Sequence, residues 1–315
     1  MSARMEIGPA PVQRLCSACD ARCYGEFCRT CKLAADATPV IRFVGGKSEL
    51  LPEILPRLPL KISTYYEPFI GGGAVFFALA NEGRFKRAVI GDSNLGLVNL
   101  YIQIRDKCSA VLDHLRMHDQ KHSGAHYYEQ RGRNWDAGPS GAARFIYLMK
   151  TNYNGLWRVN ADGRMNTPFG HHKKKPNIVN ADGLRAAARA LQGVKIVHGD
   201  FEKTVVRAAV GDVVYADPVY LPIPGSASFT AYGADGFDVE DHERLADCIA
   251  ACVKRGANVL LSNSDTPESR RIFTRGGWHV EKVSARRNIN SDGGARGPVG
   301  ELLVSAPKRK RNVVK

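Results

Sequence analysis

From about residue 41 the chain alternates between two kinds of apolar pattern. Short apolar runs of strand length are followed by stretches with apolar residues at three- and four-residue spacing. Lys61 to Phe69 ends in apolar and aromatic residues and predicts a strand running into the glycine triplet Gly71-Gly72-Gly73. Ala74 to Asn81 then predicts a helix, Arg87 to Gly91 a second strand, and Leu95 to about Arg105 a second helix. This order calls for a parallel sheet with a doubly wound look. Over 107–190 the alternation stops, and mostly helical stretches, Trp135, Trp157 and the loop Gly163 to Pro176 take its place. It resumes with strands at Val194–His198 and Val213–Ala216, a helix over Val239–Lys254 and a strand at Val259–Ser262. A shorter helix around Pro267–Arg275 and strands near Val280–Ser284 and Leu302–Val304 complete the pattern. The expected architecture is α/β: one sheet in two halves, 41–106 and 191–305, with a mainly helical insertion at 107–190 between them.

Composition adds constraints rather than a fold. With 315 residues, 24% charged and 44% hydrophobic, the chain has room for one large domain plus an insertion, or for two domains. No apolar run approaches the ~18 residues of a membrane span, and the N-terminus lacks a signal-peptide core, so a cytoplasmic protein is expected. Lys and Arg (45) outnumber Asp and Glu (31), and the net charge of +14 favours a polyanionic partner. A basic tail occupies 306–315, with Lys308-Arg309-Lys310-Arg311. Five of the eight cysteines crowd into Cys16, Cys19, Cys23, Cys28 and Cys31, whereas Cys108, Cys248 and Cys252 lie in helix-like stretches. Without a secretion signal, dense cysteines point to metal rather than disulfides. Cys16-x2-Cys19 and Cys28-x2-Cys31 offer four thiolates to one tetrahedral zinc within a module at 1–34, with Cys23 spare. The pattern is similar to compact zinc ribbons; the competing reading is a reduced cysteine-rich tail.

Two motifs carry chemistry. Glycines between a strand and a helix let the backbone approach a ligand at a helix N-terminus. Asp92, 19 residues after Gly73 at the end of the second strand, stands where an acid accepts hydrogen bonds from a ribose. No Gly-Lys-Ser/Thr follows, so nothing indicates a triphosphate. The second motif, Asp217-Pro218-Val219-Tyr220, closes the apolar strand Val213–Tyr215. A carboxylate beside a carbonyl made rigid by proline is a paired acceptor suited to an exocyclic amine, and Tyr220 offers a face for stacking a base. Taken alone, this is equally an acidic turn with a packed tyrosine.

The order of blocks resembles the Dam-type DNA adenine-N6 methyltransferases, the alpha group of S-adenosylmethionine-dependent amino-methyltransferases. Phe43-Val44-Gly45-Gly46-Lys47 is similar to the family's Trp-Ala-Gly-Gly-Lys opening, and Tyr66-Glu67-Pro68-Phe69-Ile70-Gly71-Gly72-Gly73-Ala74-Val75-Phe76 to its cofactor motif. Asp92-Ser93-Asn94 matches the acid-x-Asn segment. Phe145 to Leu148, Asn154 to Asn160 and Asn166 to Gly170 resemble the start of the target-recognition region. Gly199-Asp200-Phe201, Phe229-Thr230-x-Tyr232, Asp241-His242 and Leu260-Leu261-Ser262-Asn263 follow in order, so the likeness spans 41 to about 304.

That resemblance implies a Rossmann-like S-adenosylmethionine methyltransferase sheet with a helical target-recognition insertion. It implies Asp217, Pro218 and Tyr220 as the catalytic residues acting on a flipped adenine in double-stranded DNA. Phe43, Gly45, Lys47, Glu67, Pro68, Phe69, Gly71, Gly73, Asp92, Asn94, Asp200, Phe201 and Asp217 would line the cofactor site; Asp200 alone reads as a helix N-cap. Asn154, Arg158 and Asn160 would face DNA, and Lys173, Lys174 and Lys175 would contact phosphate. A bacterial or phage-encoded enzyme is expected, with a cognate restriction endonuclease as candidate partner and no obligate protein partner indicated. The family tetrapeptide is Asp-Pro-Pro-Tyr, and Val219 departs from it, restoring a backbone N–H and loosening φ. This leaves a catalytically impaired DNA-binding relative as the alternative. A cytosine-N4 methyltransferase, whose tetrapeptide usually begins with serine, is disfavoured by Asp217.

Overall fold

A computed structural model of the chain describes residues 36–43, 45–160, 163–221, 236–274, 277–286 and 298–306, and the paired backbone segments Arg14–Leu15 and Arg22–Cys23. Cys16, Cys19, Cys28 and Cys31, the tail Lys308 to Arg311, and Phe229, Thr230 and Tyr232 lie outside the described residues.

The main sheet has seven strands: β1 (Ile62–Glu67), β2 (Phe85–Asp92), β3 (Lys195–His198), β4 (Val213–Ala216), β5 (Asn258–Ser264), β6 (His279–Arg286) and β7 (Pro298–Ser305). Their order is β3-β2-β1-β4-β5-β7-β6. The ladders joining β3 through β5 are parallel. β7 runs antiparallel to both β5 and β6, which the strand-by-strand reading did not anticipate: a hairpin turns β7 back between them. The direction of winding reverses between β1 and β4, and the crevice at the carboxyl ends of those strands is where such sheets bind ligands.

Central parallel strands are covered on both faces, so they are apolar nearly throughout. Tyr65 and Tyr66, adjacent on β1, point to opposite faces and enter different cores. One core lies beneath α1 (Ala74–Asn81), α2 (Leu95–Gln120), α4 (Gly138–Thr151) and α5 (Ala181–Ala190). The other is closed by α6 (Phe201–Val205), α7 (Val239–Lys254) and α8 (Pro267–Phe273). Between α2 and α4 stands α3 (Gly124–Gly132). α2 runs well past the expected end near Arg105, through a non-helical Lys107, and carries the chain from the sheet into the helical region. α5, grouped with the insertion on sequence, packs against α1 and α2.

The joint between α2 and α4 is close. A Cβ built on Gly96 would stand 2.7 Å from the Phe145 ring, and that ring is itself held 5.0 Å from Trp157. Gly96→Ala is therefore expected to destabilise the fold by about 1–3 kcal/mol, the scale of overpacking. Urea denaturation should show a lower midpoint with an unchanged slope, and Phe145→Leu should recover part of the loss. An unshifted midpoint would mean that the ring is free to move aside.

Candidate active site

The crevice is built on the turn after β1. Gly71 and Gly73 have φ of +45° and +74°, conformations open to glycine at little cost. At Gly73 an added Cβ would also meet Tyr101 Oη at 3.1 Å and Phe77 at 3.2 Å. Gly71 is held from both sides: its N–H donates to Asp92 Oδ2 (3.2 Å), and Tyr101 Oη donates to its carbonyl (2.7 Å). Asp92, at the end of β2, also accepts the Asn94 N–H on Oδ1 (2.9 Å). Asn94 in turn caps α2, accepting from the N–H groups of Gly96 and Leu97. Burial pushes the Asp92 carboxyl up to about 6, against the backbone N–H bonds that hold it down. A desolvated acceptor with two backbone bonds already in place is suited to hydroxyl donors of a ribose.

Phe43 lies beside this turn; a Cβ on Gly71 would be 3.5 Å from its ring. Phe43 and Trp157 stack with centroids 6.5 Å apart, which sets the loop of the insertion next to the glycines. Gly45 and Lys47 follow, with the Lys47 ammonium donating to the Gly45 carbonyl (2.6 Å). Glu67 ends β1 in full burial, bonded by Tyr65 Oη (2.8 Å), and burial raises its carboxyl well above the usual range. Pro68 is buried; Phe69 joins Phe201 and Phe237 in an aromatic cluster with centroid separations of 5.6 and 5.7 Å from its own ring. Asp200 does act as a helix cap, accepting the Glu202 N–H (2.9 Å), and its other oxygen pairs with Arg244 (2.9 Å).

The second half forms where β4 ends. Its register pairs Ala216 with Leu261, so Asp217 comes level with Ser262 of β5. Ser262 Oγ donates to Asp217 Oδ1 (2.7 Å), and Lys47 Nζ lies 2.9 Å from the same oxygen. Both contacts fall on Oδ1. The Lys47 ammonium also sits 4.7 Å from the centre of the Tyr220 ring, and Tyr220 Oη donates to Glu301 Oε2 of β7 (2.8 Å). Pro218 is buried beside them. Lys47, Asp217, Pro218 and Tyr220 are thus gathered in one place. Sequence reasoning assigned no role to Ser262 or Glu301. The signal for Glu301 was an acid heading the apolar run Leu302 to Val304, and it is 7% exposed.

The residues expected to meet DNA are less gathered. Asn154, with φ of +55°, Arg158 and Asn160 are on one loop, where Arg158 donates to Asn166 Oδ1 (2.7 Å). Lys173 and Lys174 are exposed, while Lys175 pairs with Asp119 at the end of α2 (2.8 Å). Among the described residues no cluster of metal-ligating side chains occurs, and no helix is long and apolar enough to cross a membrane.

A sheet of this order, with a glycine turn, an acid closing the second strand and a carboxylate after the fourth, is a Rossmann-like methyltransferase fold of the kind that uses S-adenosylmethionine. Residues 43–289 match the D12 class N6 adenine-specific DNA methyltransferases, and the chain belongs to that family. It is 36% identical over 275 residues to the Type II methyltransferase M1.LlaDCHI of Lactococcus lactis subsp. cremoris, covering 85% of this chain and 94% of that one. It is 34% identical to the Type II methyltransferase M.MjaIII of Methanocaldococcus jannaschii, covering 85% and 99%. It is 35% identical to the DNA adenine methylase of Escherichia coli K12, covering 84% and 93%.

Asp92→Ala is expected to weaken S-adenosylmethionine binding by roughly 1–3 kcal/mol, the scale of losing a charged hydrogen-bond partner. Because the Asp92 carboxyl titrates at about 6, wild-type affinity should fall as pH drops through that value and the acceptor is protonated. Calorimetry at pH 5 and pH 8 checks both: the variant should be weaker at pH 8 and nearly flat between the two.

Proposed function

We propose that this chain transfers a methyl group from S-adenosylmethionine to the exocyclic N6 of an adenine that has left the DNA duplex. The observation that carries the reading is the Asp217 carboxylate, fixed through Oδ1 by Lys47 and Ser262 with the Pro218 carbonyl beside it. An adenine amine is a poor nucleophile because its lone pair is conjugated with the ring. Asp217 Oδ2 and the Pro218 carbonyl accept its two hydrogens, which favours a tetrahedral nitrogen with its lone pair directed away from the ring. Such preorganised acceptors need no rearrangement during reaction. S-adenosylmethionine, when bound, supplies a methyl group activated by its sulfonium. The methylated nitrogen then sheds one proton along the hydrogen bond to Asp217. Extrusion of the base costs a few kcal/mol, and the Tyr220 ring, anchored through Glu301, offers the stacking surface that offsets it.

The two Gly71 and Gly73 conformations leave room for the methionine end of the cofactor, Asp92 accepts from the ribose, and Phe69 and Phe201 flank the adenine beside Asp200. A Cβ at Gly73 would run into Tyr101 Oη and Phe77, so glycine is what keeps the turn in this shape, and the Asp92 carboxylate, with two backbone bonds in place, keeps lone pairs that fit the ribose hydroxyls of the group. Phe43, Gly45 and Lys47 close the cofactor side; Glu67, Pro68 and Asn94 hold the turn in shape. The loop of Asn154, Arg158 and Asn160, together with Lys173 and Lys174, meets the duplex, and Lys175 joins them on release from Asp119. The +14 charge supports a polyanionic substrate, and a cytoplasmic bacterial or phage setting with a cognate endonuclease as partner is part of the same proposal.

The N-terminal module is proposed to hold one structural zinc on Cys16, Cys19, Cys28 and Cys31. The spacing of the two pairs supports it, as does the antiparallel pairing of Arg14–Leu15 with Arg22–Cys23, which spans the first pair in sequence.

Asp217→Ala is expected to abolish methyl transfer while S-adenosylmethionine binding survives. Labelled-methyl transfer to DNA, with nucleoside analysis for N6-methyladenine, measures the first, and calorimetry the second. Near-normal turnover would remove Asp217 from the reaction. Elemental analysis should find about one zinc per chain, absent once residues 1–34 are deleted; a metal-free full-length protein would overturn the zinc site.

A further inference from the structure

Three of the four residues of the catalytic turn have an evident restraint. Asp217 is held by Lys47 and Ser262, Pro218 by its own ring, and Tyr220 by Glu301. Val219 has neither a ring nor a polar side chain, yet it joins the carbonyl of Pro218 to the aromatic face of Tyr220. Rotation about its φ would swing both.

The group that meets Val219 is His242, near the start of α7. His242 is fully buried, with its ring edge-on to Phe237 at 4.7 Å and to Phe273 at 6.3 Å. Its Nε2 lies 3.0 Å from the Val219 carbonyl oxygen, and its Nδ1 lies 2.6 Å from the carbonyl oxygen of Asp238. A neutral imidazole carries one N–H, so the two carbonyls compete for it. The Asp238 oxygen already accepts the main-chain N–H of His242 (3.2 Å). Among the described residues no other donor reaches the Val219 oxygen. A hydrogen on Nδ1 serves the nearer Asp238 oxygen, which has another donor, and a hydrogen on Nε2 serves the Val219 oxygen, which has none among them; the Nε2–H form is the one that acts on the turn. Asp238 caps α7 through a capping box with Asp241, so the ring is carried on a fixed helix end. The two aromatic neighbours leave it little room to turn.

We propose that His242 is a positioning residue for methyl transfer. Its Nε2–H holds the Val219 carbonyl and thereby aims the Pro218 carbonyl and the Tyr220 ring, doing by hydrogen bond what a ring at position 219 would do by covalent restraint. The inference rests on the reaction assigned above to Asp217.

The test compares His242→Gln, His242→Asn and Val219→Pro, alone and combined, in the full-length protein. Labelled-methyl transfer to DNA gives kcat and KM, calorimetry gives S-adenosylmethionine affinity, and thermal melting reports the fold. A glutamine amide reaches the place of Nε2, whereas an asparagine amide reaches only that of Nδ1. His242→Asn should lower kcat by about tenfold or more with cofactor affinity nearly unchanged, as expected for a small misplacement of reacting groups. His242→Gln should retain most of the turnover. In the Val219→Pro background the asparagine substitution should cost less than about threefold, because the proline ring fixes φ independently. Unchanged kcat in His242→Asn would overturn the proposal. So would equal losses in the Gln and Asn variants that track melting temperature, or an asparagine effect undiminished by Val219→Pro. Wild-type protein that binds the cofactor but labels no DNA adenine would instead remove the underlying reaction.

Discussion

The conformation of Gly71 is the constraint on which the cofactor half of the site depends. Glycine reaches a φ of +45° at little cost but reaches many other conformations as readily, so something must select this one. Asp92 takes its N–H and Tyr101 supplies a hydrogen to its carbonyl, so the end of β2 and α2 grip the peptide groups on both sides of one residue. Asp92 is tied to Asn94, and Asn94 caps the helix that carries Tyr101. The turn, the second strand and α2 are thus locked in a small ring of hydrogen bonds. The raised carboxyl of Asp92 follows from the same ring, since closing it partly buries the carboxylate.

The catalytic half is organised by charge rather than by backbone. Lys47 is 5% exposed, and a buried ammonium is costly unless an anion stands beside it. The carboxylate in contact with it is Asp217, whose Oδ1 lies 2.9 Å from Nζ. The same ammonium lies over the Tyr220 ring. One cation therefore ties the opening segment of the sheet domain to two residues of the turn after β4, and the Asp217 carboxylate is held in a fixed orientation.

Much of the frame was legible because it is local. Ala74–Asn81, Val213–Ala216 and Val239–Lys254 appear with the limits read from apolar spacing, and the glycine turn and Asp92 fall at a spacing that the strand–helix–strand unit imposes. Asp200 shows the limit of motif reading: the ordinary helix-cap role is plainly present, whatever else it does. What was not legible depends on pairing between distant segments. Nothing near Glu301 announces that it will accept from Tyr220, 81 residues away, and nothing near Ser262 announces Asp217, 45 residues away. The reversal of β7 is also non-local, since its apolar alternation is the same in either direction. The long run of α2 was missed for a different reason: the non-helical Lys107 interrupts the apolar register at the point where the first helical stretch was read as ending.

The placement of β7 has a consequence for how the molecule is made. It lies between β5 and β6, and among the described residues β7 is the one neighbour of β6 in the sheet. During synthesis β6 therefore emerges before the strand that connects it to the rest, and it must wait, unpaired, for residues 298–305. The acceptor for the Tyr220 hydroxyl arrives on that same strand. The Gly71 turn and the Tyr220 anchor therefore depend on segments far apart in the chain: the first is complete within 62–101, whereas the second waits on residues 298–305.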